Sequence, residues 1–187
     1  MNRLFLFIVL LFPLFFLVYN ILIVEVNDPI KYIYTYTGTC AITLLFFTTS
    51  LSLIKNKINL IKYRRMMGLF TFFYAFLHFS NFFVFDAELE IDFVIKETLD
   101  KPFIYLGMIS FSILIFMAIT SVKSLYAKYN KYHRFIYLIL VLITIHFVMA
   151  QKALSIEQWG YLFVFLVIIS LKIKQRKSLL FKSVGVP

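Results

Sequence analysis

The sequence predicts an all-α integral membrane protein, a bundle of six transmembrane helices with both termini in the cytoplasm. Of its 187 residues, 62% are hydrophobic and 20% are aromatic, whereas soluble globular proteins are about half apolar and about a quarter charged. Apolar runs recur at the length of about 20 residues that crosses a bilayer. The charged residues separate by sign between alternate loops. Together these observations exclude an ordinary soluble domain.

Six apolar segments are candidate spans within a single domain, 1–187, and a five-span arrangement is the alternative. They cover residues 4–24, 38–54, 66–85, 102–122, 134–150 and 157–171. The second and sixth are short, so we expect their flanks to extend them or the bundle to be thin there. The first could be read as a signal peptide, but its apolar run is too long and no small-residue cleavage site follows it. We expect it to be retained as a helix.

The distribution of charge assigns the loops to two sides. One set of alternate loops holds 15 of the 19 Lys and Arg residues and no carboxylate, whereas the other holds all nine carboxylates and four lysines. Loops rich in Lys and Arg stay in the cytoplasm. Six spans therefore put both termini inside, whereas five would move the basic C-terminal tail to the acidic side. Topology accounts for the formal charge of +10 without a nucleic-acid partner.

Three histidines lie in or beside the apolar segments, where an unpaired polar ring is costly. His78 lies as far along the chain from Arg65 as His146 lies from His133. At about 1.5 Å per residue, His78 and His146 lie about 20 Å from the cytoplasmic surface. Two imidazoles at matched depth suit the two axial positions of a haem iron. The alternatives are a structural or proton-relay pair, bonded to a carbonyl or a nearby side chain, and a non-haem metal site. The nearby side chains are Ser80, Asn81 and Thr144.

His133 lies near the cytoplasmic surface, so a cluster of all three histidines is not expected. It marks the level of a second haem, but the matching position on the third span is Arg64 or Arg65. That haem would need a Tyr, Met or water ligand, or it is absent. In an ideal helix His133 and His146 also lie about 140° apart. Arg64 and Arg65 are either positive-inside anchors or contacts for haem propionates or a flavin phosphate. The single cysteine, Cys40, excludes an intramolecular disulfide and a cysteine-based metal cluster.

Several segments carry a family resemblance. RRMMGLFTFFYAFLHF, IKETLDKPFIYLGMISFSILIFMAITS and YHRFIYLILVLITIHF resemble the three central segments of the MsrQ (YedZ) family. NDPIKYIYTYTGTCAI resembles the first outer loop of that family and the start of its second helix. The match runs from about residue 25 to residue 172. MsrQ proteins are the haem-binding membrane subunits of the bacterial periplasmic methionine sulfoxide reductase system and are related to ferric reductase-like transmembrane domains.

The resemblance implies that His78, His133 and His146 occupy the haem-ligand positions of the family and bind one or two b-type haems. It implies a multi-pass protein of the bacterial inner membrane that receives electrons from the quinone pool or from a cytoplasmic flavin reductase. The implied recipient is a periplasmic molybdenum-cofactor subunit that reduces methionine sulfoxide in proteins. FMN is also associated with the family. The chain has Tyr129 and Tyr132 where the family usually has Trp and Leu. Both substitutes are aromatic, which keeps a packing role, and a flavin or quinone bound in that region is expected to have a different affinity.

These features favour an electron-transfer subunit rather than a complete enzyme, because cofactors carry the redox chemistry and the protein supplies their ligands. The acidic outer loop from Asp86 to Asp100 is either a docking surface for the partner or a solvated face. A stand-alone ferric reductase is one alternative, although no glycine-rich phosphate-binding motif is present. The others are a haem-free histidine-relay transporter, which would call for a carboxylate in the interior of a span where this chain has none, and a structural or assembly subunit.

Overall fold

The computed structural model describes residues 2–54 and 60–183, with side chains described through residue 177. Residues 55–59, part of the predicted basic inner loop, lie outside the described residues, as do the side chains at the end of the predicted basic tail. The described ranges form α-helices and no strand. The helices are α1 (Arg3–Tyr19), α2 (Pro29–Ser50), α3 (Arg64–Asn81), α4 (Ile91–Asp100), α5 (Pro102–Ile119), α6 (Lys123–Tyr129), α7 (Ile136–Met149) and α8 (Ile156–Ser183).

Short turns of other helix types extend these elements. A π-helical turn follows α1 at Asn20–Val24, and another follows α3 at Phe82–Asp86. A 3-10 turn precedes α3 at Ile61–Tyr63, and a second joins α6 to α7 at Asn130–Phe135. The acidic outer loop from Asp86 to Asp100 contains the short helix α4.

Five of the described helical runs are long and apolar enough to cross a membrane, which makes the chain a multi-pass membrane protein. They are Arg3–Val24, Ile61–Asp86, Pro102–Ile119, Lys123–Met149 and Ile156–Lys177. The other long helix, α2, has 22 residues but contains six threonines and three tyrosines. The six-span count and the cytoplasmic position of both ends therefore stay predictions.

Two of the predicted boundaries differ from the structure for identifiable reasons. α2 begins at Pro29, well before residue 38, because the Asp28 carboxylate accepts a hydrogen bond from the Lys31 amide at 3.0 Å and proline suits the first helical turn. The predicted fifth span, 134–150, begins within a 3-10 turn that contains His133. The angle expected between His133 and His146 on one ideal helix therefore does not apply.

The core of the bundle is made of two helix pairs. α2 packs on α3, α5 packs on α7, and the pairs meet where α3 contacts α5 and α2 contacts α7. One buried apolar cluster joins α2, α5, α7 and α8, and a second joins α1, α2 and α3. Tyr74 fastens α1 to α3 by donating a hydrogen bond to the Leu10 carbonyl at 2.8 Å. The four helices α2, α3, α5 and α7 thus surround His78 and His146, and α1 and α8 lie outside these four.

Large apolar side chains cover the outer surface of the bundle. Phe12 is 62% exposed and Phe163 is 67% exposed, on α1 and α8 respectively. In water such a surface would be unfavourable, whereas lipid chains solvate it. Few polar contacts hold α8 in place. Thr43 and Tyr161 share a hydrogen bond of 2.9 Å, and Ser52 accepts hydrogen bonds from Lys172 and Gln175.

The predicted topology can be tested with two single cysteines in a Cys40→Ser background. Ser124 lies on α6 and Ala153 lies between α7 and α8, and both are exposed. In intact bacterial cells with a permeabilised outer membrane, we expect a membrane-impermeant maleimide to label Ala153→Cys but not Ser124→Cys. Labelling of both after cell lysis is the control. Labelling of Ser124→Cys alone in intact cells would show that the orientation is reversed.

Candidate functional site

His78 on α3 and His146 on α7 face each other across the two helix pairs. Their ring centres lie 6.4 Å apart, and the ring planes are perpendicular at 90°. Both side chains are partly buried. The structure therefore brings together the two imidazoles that the matched spacings in the sequence place at one depth.

Each of these two histidines is hydrogen bonded to the backbone of the neighbouring helix. His78 Nδ1 lies 3.0 Å from the carbonyl oxygen of Tyr34 on α2, and His146 Nδ1 lies 2.6 Å from the carbonyl oxygen of Phe103 on α5. A carbonyl oxygen can only accept, so Nδ1 carries the proton in both rings. The lone pair then lies on Nε2, the nitrogen that is left to bind a metal.

The distance between the rings fits a single iron atom between them. Imidazole nitrogen binds a metal at about 2 Å, so two imidazoles on opposite sides of one metal have ring centres about 6 Å apart. The observed 6.4 Å agrees with that value. The donor set of two neutral imidazoles is also the one found in bis-histidine b-type haem proteins. The donor chemistry of these two residues therefore fits a haem, whose iron they would hold.

The structure also bears on the alternatives for the histidine pair. Within residues 2–54 and 60–183, no group of three or more His, Cys, Asp or Glu side chains could hold a metal ion. Two of the three side chains suggested as hydrogen-bond partners make other hydrogen bonds: Asn81 donates to the Ile30 carbonyl, and Thr144 donates to the Leu140 carbonyl. The partners of His78 and His146 are backbone carbonyls, which the structural alternative also allowed, and sequence reasoning did not identify the two residues that supply them.

A second feature, the inner cavity, lies on the cytoplasmic side of the predicted topology and has a volume of about 340 Å³. Its lining includes Thr48, Ile61, Lys62, Arg64, Arg65, Gly68, Leu69, Leu114, Met117, Ala118, Ser121, Lys123, Tyr126, His133 and Ile136. Four of these side chains are cationic, and none is a carboxylate. The structure thus joins Arg64 and Arg65 with His133 in one basic cavity, separate from the His78 and His146 pair.

His133 differs from the other two histidines in its hydrogen bonding. Its Nε2 lies 3.1 Å from the hydroxyl oxygen of Thr120, and the Tyr126 ring packs edge-on against it at 4.9 Å. The nitrogen that is left to bind a metal in His78 and His146 is therefore occupied here. Thr48 is 4% exposed, and its hydroxyl has no hydrogen-bond partner among the described residues. A bound polar ligand in the inner cavity could supply that partner.

The tyrosines that lie in sequence near the basic residues of the cytoplasmic side do not all line the inner cavity. Tyr126 does, whereas Tyr63 is buried in the cluster of α1, α2 and α3. Tyr129 and Tyr132 pack against Phe116, with both ring-centre distances 6.1 Å. The two positions that depart from the family pattern therefore contact α5 rather than the cavity.

Comparisons with known proteins agree with this arrangement. The family model described as ferric reductase like transmembrane component matches residues 37–150, which include both histidine-bearing helices. The haem-binding subunit MsrQ of the protein-methionine-sulfoxide reductase from Rhizobium meliloti is 30% identical over 79% of this chain and 71% of its own length. The MsrQ subunits of Agrobacterium fabrum and Brucella ovis are 34% and 32% identical, over 62% and 70% of this chain.

The chain spans 56% of the Agrobacterium relative and 62% of the Brucella relative, less than two thirds of each. No solved structure matches it. The family match extends from α2 through the end of α7, so it covers the two helix pairs that carry the histidines. The chain therefore belongs to the family of ferric reductase-like transmembrane components, with the MsrQ haem-binding subunits among its relatives.

Proposed function

We propose that the chain is a membrane electron-transfer subunit that binds b-type haem between α3 and α7, with His78 and His146 as the axial ligands. The observation that carries this proposal is the pair of rings 6.4 Å apart, both with the proton held on Nδ1. When bound, haem supplies reversible one-electron chemistry at its iron. The protein holds the two ligand nitrogens, and the surrounding apolar side chains keep water away from them.

The names of the relatives support a role in methionine sulfoxide reduction. MsrQ in Rhizobium meliloti is named as the haem-binding subunit of a protein-methionine-sulfoxide reductase. We propose the same partnership here, with a periplasmic molybdenum-cofactor subunit as the electron acceptor, in the inner membrane of a bacterium. The proposed donor is the quinone pool or a cytoplasmic flavin reductase. The separation of acidic and basic loops supports an acceptor outside and a donor inside.

The inner cavity supports a second, anionic ligand. Arg64 and Arg65 are guanidinium donors that suit carboxylate or phosphate, and Lys62 and Lys123 add further positive charge. Haem propionates and the phosphate of FMN share this chemistry. His133 contributes an imidazole, and the Thr48 hydroxyl contributes a donor or acceptor. We propose that the cavity holds one of these cofactors by its acidic groups.

A haem-free proton relay receives less support from the geometry. A relay needs both nitrogens of each ring in a chain of donors and acceptors, so that a proton can enter one side and leave the other. Among the described residues, the hydrogen bonds of His78 and His146 involve Nδ1 and end on backbone carbonyls. A carbonyl can accept a hydrogen bond but cannot pass a proton on.

The haem proposal is tested by replacing each histidine with alanine. We expect the reduced-minus-oxidised visible spectrum of the detergent-purified protein to show b-type haem, and haem per chain to fall about tenfold or more in His78→Ala and in His146→Ala, because each removes an axial ligand. His133→Ala is the comparison and should keep the haem held by the other two. A colourless wild type from haem-replete cells, or unchanged haem in both variants, would contradict the proposal.

The inner cavity is tested by the double variant Arg64→Gln, Arg65→Gln. A hydrogen bond to a charged group contributes about 1.5–3 kcal/mol, so loss of the guanidinium contacts should weaken the anionic ligand about tenfold or more. The measurements are FMN binding by fluorescence titration and haem per chain, which distinguish the two cofactors. Arg134→Gln, an exposed arginine outside the cavity, is the matched control. If both cofactors bind as in wild type, the arginines are membrane anchors only.

A further inference from the structure

We propose that Gly38 on α2 and Gly107 on α5 are positioning residues for the two facing histidines. Each glycine leaves open the space through which an imidazole ring reaches a carbonyl on the adjacent helix. This inference rests on the proposed function in one respect, because it takes the His78 and His146 rings to be haem ligands. We call each group of carbonyl, glycine and ring a latch: Tyr34, Gly38 and His78 form one, and Phe103, Gly107 and His146 form the other.

The space in question is defined by the distance from a hypothetical Cβ atom to the ring. A Cβ on Gly38 would lie 3.1 Å from both Cε1 and Nδ1 of His78. A Cβ on Gly107 would lie 3.0 Å from the same two atoms of His146. Contacts this short require the neighbour to move by a few tenths of an ångström. By contrast, a Cβ on Gly160 of α8 would meet no atom of the described residues within 4 Å.

The spacing within each latch follows from helix geometry. The carbonyl of residue i points along the helix axis toward residue i+4, and the Cβ of residue i+4 leans back toward the N-terminus. A side chain at i+4 therefore covers the side of that carbonyl from which another helix could reach it. Gly38 stands at i+4 from Tyr34, and Gly107 stands at i+4 from Phe103. Glycine thus occupies the position where the acceptor must stay accessible.

The two latches are built alike although their sequences differ. The hydrogen bond joins residues 44 positions apart in one and 43 positions apart in the other. In both, the residue that supplies the carbonyl is aromatic, and its own ring packs on the histidine, at 4.7 Å for Tyr34 and 6.2 Å for Phe103. The same arrangement thus occurs independently on the two helix pairs, which favours a shared role over chance packing.

A latch fixes two properties of its histidine at once. The hydrogen bond at Nδ1 keeps the ring in the tautomer with a free Nε2, and it sets the direction in which the Nε2 lone pair points. Movement of the ring by a few tenths of an ångström lengthens that bond and turns the ligand nitrogen away. The structural cost of glycine in a helix interior would otherwise favour alanine at these positions.

The first test compares Gly38→Ala and Gly107→Ala with the control Gly160→Ala in the full chain. The anisotropy of the low-spin ferric resonance of a bis-histidine haem depends on the angle between the two imidazole planes, here 90°. We expect both latch variants to shift this signal and to lose haem affinity about tenfold, as changes around a metal ligand do. Gly160→Ala should match wild type in both measurements. Latch variants with unchanged signal and affinity would overturn the proposal.

The second test separates the latch from haem binding by a double-mutant cycle on the haem-free protein. Thermal unfolding is measured for Gly38→Ala with His78 present and in the His78→Ala background, and likewise for Gly107→Ala with His146. With the ring present, the added methyl group should lower the unfolding temperature. Without it, alanine should raise the temperature, because alanine restricts the unfolded chain more than glycine does. Equal effects in the two backgrounds would refute the latch.

The two tests distinguish this inference from the proposed function. A wild-type protein that binds no haem refutes the haem proposal, while the cycle still decides whether each glycine acts through its ring. A wild-type protein with haem and latch variants that do not differ from it refutes the role of the glycines alone. A latch variant that is unstable in both backgrounds, with and without the histidine, also counts against the inference.

Discussion

The constraint on which the site depends is that a polar ring inside a lipid-exposed bundle must have its N–H group satisfied by protein. A backbone carbonyl in a helix already accepts one bond from its own ladder but has a second lone pair. His78 and His146 use that second lone pair on Tyr34 and Phe103. Once each N–H is satisfied in this way, the tautomer is decided, and the free nitrogens of the two rings become available to a shared metal. The packing of α2 on α3 and of α5 on α7 therefore also orients the two proposed ligands.

The polar composition of α2 is consistent with this role. Two of its threonines satisfy their own hydroxyl groups along the helix, Thr37 with the Ile33 carbonyl at 2.6 Å and Thr49 with the Leu45 carbonyl at 2.9 Å. Thr37 and Thr49 are buried, so these bonds remove the penalty of placing a hydroxyl group in the core. Small side chains also allow close approach of neighbouring helices. α2, which is less apolar than its neighbours, thus lies inside the bundle, where its Tyr34 carbonyl accepts a hydrogen bond from His78 of α3.

The sequence was sufficient to predict an all-helical membrane bundle and to place the two deep histidines at one level, because hydropathy and the constant rise of a helix determine both. The sequence was not sufficient to predict which residues of neighbouring helices contact each other. The carbonyls of Tyr34 and Phe103 carry no signal in side-chain identity, and their use depends on the register of one helix against the next. The positions of the glycines give a weak indication of these contacts. The chain has five glycines, of which Gly38 lies on α2, directly before α3, and Gly107 lies on α5, which is separated from α7 only by the short α6. The helix boundary at His133 was also misjudged, because a 3-10 turn there breaks the helical periodicity.

The three histidines lie in two chemical environments, which differ in the ring nitrogen that makes a hydrogen bond. In the facing pair, Nδ1 is hydrogen bonded to a backbone atom that cannot move independently of its helix, so the proposed ligand nitrogens are held in place. In His133, Nε2 is hydrogen bonded to the Thr120 hydroxyl, which is a side-chain group that can rotate. The side chains around His133 are cationic rather than apolar. Rigid placement in low dielectric suits a permanently bound redox group. A wider basic cavity with adaptable polar groups suits an anionic ligand held chiefly by charge. The two proposed sites therefore differ in kind: the pair between α3 and α7 suits a rigidly held cofactor, and the inner cavity at the predicted cytoplasmic ends of the same helices suits a ligand held by charge.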